Sequence, residues 1–212
     1  DLGTSLSIIM LGVFILFLVG IRLWKFILGF IATVISIPIL LQFIKPYQRE
    51  RIISFLNPES DPLGQGYQLI QSKIALGSGG ATGKGFLQGT QSYLEYLPEK
   101  QTDFIFTLIG EEFGFLGTIF IIFLFVLLIA VCYFISIKCF HSFGKILALG
   151  VASNIFIYVF MNVAMVSGLM PVVGIPLPLI SYGGSVMLSI MLSMGLVLNV
   201  DLNYNLKKIN NA

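Results

Sequence analysis

Five apolar stretches dominate this chain, at approximately 4–21, 26–44, 113–137, 146–170 and 179–200. Each is long enough, or nearly so, to cross roughly 30 Å of hydrocarbon at a rise of 1.5 Å per residue. A soluble domain carries about a quarter charged residues. Here charged residues are 10% of the chain and hydrophobic residues 57%, too few charges to cover a water-facing surface. The expectation is an all-α polytopic membrane protein, a single membrane domain over 1–212 with about five transmembrane helices. A long loop, 45–112, separates the second helix from the third.

Short basic links separate the helices: Arg22 and Lys25 after the first, then Lys138, His141 and Lys145 after the third, with Lys207 and Lys208 in the tail. The other six basic residues lie in the 45–103 loop among six acids. Short loops govern orientation and long ones contribute little. The positive-inside rule therefore predicts cytoplasmic basic links, a cytoplasmic C-terminus, and outer-face positions for 45–112 and 171–178. The chain opens on "DLGTSLSIIM", with neither an initiator Met nor a leader pattern, and reads as beginning mid-protein.

Cys132 and Cys139, about two helical turns apart, are too distant to bridge and read as small packing residues. His141 has no nearby partners with which to build a metal site. Pro38 falls inside the second span, where it removes a backbone hydrogen bond. The stretch "LMPVVGIPLPLISYGGS" (169–185), with three prolines and three glycines, cannot be one regular helix. Irregular backbone at a membrane survives when buried in protein or lining a watery cavity, and a cavity wall is the expectation. In the loop, Tyr67, Ile70 and Ile74 recur at helical spacing opposite Gln68, Gln71 and Lys73. That pattern predicts a short amphipathic helix on the membrane surface.

The loop also carries the chemistry. Glycines 77, 79, 80, 83 and 85 suggest a phosphate loop, yet neither G-x-x-x-x-G-K-[ST] nor G-x-G-x-x-G is satisfied. A glycine-rich turn beside Lys84 could still hold a phosphate through backbone N–H groups, although a surface turn is the commoner explanation. Glu95, Glu99 and Asp103 are spaced by four, but Pro98 argues against a helix that would align them. Asp103 directly precedes an apolar helix, so on spacing alone a helix cap and a catalytic carboxylate are equally good readings. Thr102 could supply the cap instead. Glu111 and Glu112 sit about 12 Å further along that helix. Lipid-facing carboxylates are costly, so 103–112 is expected to project outside or line a hydrated cavity.

"NPESDPLGQGYQLIQSKIALGSGGATGKGFLQGTQS", "LEYLPEKQTDFIFTLIGEEFGFLG", "GIPLPLISYGGS" and the opening "DLGTS" together resemble the SEDS family of bacterial cell-shape, division and sporulation proteins. The resemblance covers essentially the whole chain. It is greater to the RodA-like elongation branch than to the division branch, which tends to carry lysine where this chain has Val173. It implies a ten-helix plasma-membrane polymerase, of which this chain would be the C-terminal half. Such an enzyme joins lipid II into glycan strands beside a class B penicillin-binding protein that supplies the transpeptidase.

The resemblance further makes Asp103, in "TDFIF", the essential aspartate and general base of an inverting transfer. Lys73, Lys84 or Lys100, or a divalent cation such as Mg or Mn, would neutralise the departing diphosphate. Gln88, Gln91 and Glu99 would orient sugars or equally be plain loop structure, with Ser181 of "SYGGS" in the same substrate-binding group. A lipid II flippase and a non-catalytic scaffold are the competing readings. The near absence of polar groups through the spans disfavours a flippase, and the isolated fragment is expected to be inactive.

Overall fold

The computed structural model describes residues 2–40, 46–61, 64–93 and 101–210. Eight α-helices are described: α1 (Leu2–Leu18), α2 (Leu23–Leu40), α3 (Pro46–Leu56), α4 (Gln65–Ser78), α5 (Thr90–Tyr93), α6 (Ile105–Lys138), α7 (Ser142–Val166) and α8 (Gly184–Asn210). A 3-10 turn, Pro58–Ser60, joins α3 to α4, and the described residues contain no strand. Among the described residues, three helices are long and apolar enough to cross a membrane: α6, α7 and Gly184–Asn203 of α8. The first two predicted spans are apolar helices but shorter. Pro38 lies within α2. The chain is an all-α, multi-pass membrane protein.

Packing inverts the pattern of a soluble protein. Leu, Ile and Phe side chains such as Phe120, Phe123, Leu192 and Leu196 face outwards, while Ala148, Ala152, Ser153 and Asn162 of α7 are buried. Apolar side chains gain nothing by leaving lipid, so helix contacts in a bilayer are made by small and polar residues that allow close approach. α1 packs Leu6, Met10 and Phe14 against Ile157 and Met161 of α7, with Phe14 stacked on Phe156 at 5.6 Å. Cys132 of α6 lies buried against the Ala148–Ala152 face of α7 and Val197 of α8. Cys132 and Cys139 are both free thiols.

The ends of the molecule are chemically distinct. A Cβ on Gly3 would strike Val173, just beyond α7, whereas Ile15 reaches Gly150 near the start of α7, so these two helices run antiparallel. The end of α1 and the Arg22 link therefore share one end of the molecule with the 139–141 turn. At the other end lie α4, the glycine-rich loop, the start of α6 and residues 167–183.

Two elements depart from expectation. Helix α4 forms where the spacing predicts it, but its buried face is Gly66, Leu69, Ser72 and Ala75, and Ile74 is exposed. Small residues set the register because α4 packs closely on α6 and α7. Ser72 Oγ meets Thr107 Oγ1 at 2.8 Å and donates to the Val166 carbonyl at 2.8 Å. Helix α6 is broken at Gly114, whose φ of 66° and ψ of −161° are non-helical. Residues 115–138 beyond the break span about 36 Å, which is the predicted third span.

Candidate active site

The glycine-rich loop closes over the α6 break. Lys84 and Gly85 donate their N–H groups to the Glu111 and Glu112 carbonyls, each at 3.0 Å. Phe115 and Leu116 donate to Gly80 and Ala81 at 2.9 and 3.1 Å. A break in a helix frees backbone groups that must find partners, and the loop supplies them. Two of its glycines are required by proximity. A Cβ on Gly79 would strike the Gly110 carbonyl, and one on Gly83 would strike that of Glu112. The loop that could have cradled a phosphate is occupied by the protein's own helix.

Glu111 and Glu112 are buried, at 1% and 4% exposure, and neither projects into water. Glu111 is neutralised in place. Lys84 Nζ lies 2.7 Å from Glu111 Oε1, which also accepts from Gln91 N at 3.1 Å and Thr90 Oγ1 at 3.2 Å. Burial of a carboxylate is tolerable when it is paired and hydrogen-bonded in this way. Both carboxylates are thus enclosed by protein rather than presented to lipid.

Asp103 is half-buried at the start of α6 and is held through its neighbours. Phe104 occupies the N-cap position, one residue beyond Asp103, and is 1% exposed in the core with Phe106, Val166 and Leu177. Three successive carbonyls are gripped by other elements. Gln101 O accepts from Tyr182 N at 2.9 Å, Thr102 O accepts from Ser181 Oγ, and Asp103 O accepts from Asn162 Nδ2 at 2.8 Å. Gly174, with φ of +72°, lies against the carboxylate; a Cβ there would sit 3.3 Å from Asp103 Oδ2. The proline-rich segment is therefore irregular because it wraps the residues around Asp103.

The remaining sequence candidates separate by position. Lys84 is engaged by Glu111 and by Thr90 Oγ1, at 2.9 Å. Lys73 is exposed on α4 and lays its side chain across Gly168, at the C-terminal end of α7, where cations are favoured. Gln88 is exposed beside Gly85. Gln91 donates its backbone N–H to Glu111, and its Oε1 is buried with no protein hydrogen-bond partner. Ser181 is buried, its hydroxyl bonded to Thr102 O and Leu177 N. Glu95, Pro98, Glu99 and Lys100 lie outside the described residues. Among the described residues, no group of three or more His, Cys, Asp or Glu could hold a metal ion.

Sequence reasoning missed Asn162. Its signal was present, a lone amide in the apolar run "FIYVFMNVAM". Intramembrane polar residues are functional candidates by default.

Comparison with known proteins decides the family. The FtsW, RodA and SpoVE family of cell cycle proteins, the SEDS family, matches residues 1–206. The chain belongs to this family. This SEDS chain is 48% identical to the peptidoglycan glycosyltransferase MrdB of Escherichia coli K12 over 202 residues, covering 94% of the chain and 54% of that protein. It is 44% identical to the peptidoglycan glycosyltransferase RodA of Treponema pallidum over 158 residues, 74% of the chain and 36% of that protein. A solved chain from a peptidoglycan synthase complex that coordinates polymerization and crosslinking matches with a TM-score of 0.77 at 34% identity, over 96% of this chain and 56% of its own. The SEDS chain thus spans between about a third and just over half the length of these relatives.

Proposed function

We propose that this chain acts as part of a peptidoglycan glycosyltransferase that polymerises lipid II during cell elongation, with Asp103 as general base. The observation that carries the proposal is the clamped main chain of residues 101–103, which places the Asp103 carboxylate beside Gly174 where the polar loops meet the first turn of α6. In the reaction, an acceptor sugar hydroxyl attacks the donor's anomeric carbon and passes its proton to Asp103. A carbon–oxygen bond forms as the bond to the diphosphate breaks, and the electron pair leaves with the diphosphate. One in-line displacement inverts the anomeric centre. A carboxylate within hydrogen-bond reach of the hydroxyl suits that proton transfer.

The diphosphate needs a cation. Lys84 is already neutralised by Glu111, so of the lysines considered Lys73 fits best among the described residues. A divalent ion, Mg or Mn, is compatible with the site, since Mg²⁺ at phosphates is commonly held by one or two carboxylates plus substrate oxygens. Asp103 would be that carboxylate, and the ion would supply charge neutralisation at the diphosphate.

In this reading the Asp103 end faces outwards from the bacterial plasma membrane, because the short basic links gather at the opposite end. A class B penicillin-binding protein transpeptidase is the proposed partner. Purified full-length protein with that partner, given labelled lipid II, should yield glycan polymer on a gel. Translocation of lipid II across vesicles without polymer would favour a flippase, and neither activity in a folded complex would favour a scaffold.

A further inference from the structure

We infer that Asn162 is the residue that positions the general base. This rests on the general-base reading of Asp103 and adds the device that aims it. Asn162 lies in α7, fully buried, and its Nδ2 donates to the Asp103 carbonyl at 2.8 Å and the Ile175 carbonyl at 2.7 Å. A neutral amide has two N–H donors on that nitrogen, and both are spent on backbone of segments far apart in sequence. One segment carries Asp103. The other carries Gly174, which borders the carboxylate.

Asn162 therefore fixes both the base and the wall beside it from a single atom. Its Oδ1 is buried with no protein hydrogen-bond partner. A residue selected only to fill α7 would not carry that unsatisfied acceptor into an apolar interior, where it costs stability. The neighbouring carbonyls are held independently by Ser181 and Tyr182, so loss of Asn162 frees the Asp103 end of the clamp and leaves the other end fastened. The expected result is misaim rather than unfolding.

The test uses the full-length protein with its transpeptidase and labelled lipid II. Asn162→Ala should lower kcat by about 10²-fold, the effect of misplacing a catalytic group by about 1 Å, with KM little changed. Hydrogen exchange in peptides covering 101–108 and 172–182 should rise in the same variant. Asn162→Asp should fare no better, since a carboxyl offers at most one donor for two carbonyls. Ser153→Ala is the control, because that buried hydroxyl on the same helix bonds only its own Leu149 carbonyl, at 2.6 Å. Ser181→Ala, which loosens the Thr102 carbonyl, supplies a milder clamp variant should Asn162→Ala fail to accumulate; it should also lower kcat and spare KM.

Unchanged exchange in both peptides, or a KM effect with kcat preserved, overturns the inference. Full activity in Asn162→Ala while Asp103→Asn is inactive overturns it and leaves the general-base reading standing. Full activity in Asp103→Asn overturns that reading and this inference with it.

Discussion

Substituting Gly114 by Ala should undo the junction on which the site is built. The residue sits at φ 66° and ψ −161°, a region open essentially to glycine alone. Forcing an L-residue there costs about 1–3 kcal/mol. The new Cβ would also collide with Gly83 N and the Ala81 backbone, so the loop must retreat. Retreat breaks four loop–helix backbone hydrogen bonds, each with a net value of about 0.5–1.5 kcal/mol. Even the lower bounds together give about 3 kcal/mol. Gly77→Ala is the matched control: it lies in α4 with nothing within 4 Å of its added Cβ, and should be neutral or stabilise by up to about 1 kcal/mol. Thermal unfolding of the purified full-length variants would rank them, and hydrogen exchange over 79–89 would report undocking. A Gly114→Ala protein as stable as wild type with the loop still protected would refute the reasoning. So would a Gly77→Ala variant as damaged as Gly114→Ala.

Further predictions follow from the same geometry. Lys84→Ala leaves the 1% exposed Glu111 carboxylate without its cation; breaking a buried pair costs about 3–5 kcal/mol, reduced to roughly 2–3 because Lys84 is about a quarter exposed. Glu111→Gln keeps an acceptor for Gln91 N and Thr90 and should cost about 1–2 kcal/mol, so melting curves in which Glu111→Gln is the worse variant contradict the account. Gly174→Ala places a methyl against Asp103 at positive φ; it should destabilise by about 1–2 kcal/mol yet lower the polymerisation rate by about tenfold or more, and a rate loss no larger than the loss of folded protein would argue against that contact. With Cys132 and Cys139 replaced by Ala, a cysteine at position 73 should react with a membrane-impermeant maleimide added outside cells and one at position 145 should not; the reverse pattern would invert the orientation.

The spans were legible because hydropathy over some twenty residues is a local property. The start of the third span near 113 was legible in the same way, whereas the break at Gly114 was not, because it depends on the loop that docks against it. The irregular 167–183 segment declared itself through Pro171, Pro176 and Pro178. What could not be read was contact between distant segments. The glycine-rich run suggested a ligand because the true neighbour of Gly79 and Gly83, the backbone of 110–113, lies some thirty residues on. Helix α4 was legible as a helix, but its buried face was misassigned: close packing selected Gly66, Ser72 and Ala75 over the larger Ile70 and Ile74. Lys84 looked available for a phosphate because its pairing with Glu111 depends on that docking. Asn162 could have been singled out as an amide in an apolar run, but only its fold shows which carbonyls it holds.

The most direct measurement compares wild-type full-length protein with Asp103→Asn, each purified with its transpeptidase partner and given labelled lipid II. The amide is nearly isosteric, so it preserves the surrounding hydrogen-bonded backbone while removing the base. The account predicts glycan polymer from wild type and none from the variant, with the variant still folded and still bound to its partner. Equal polymer from both would contradict it and return Asp103 to the role of a helix-terminus residue.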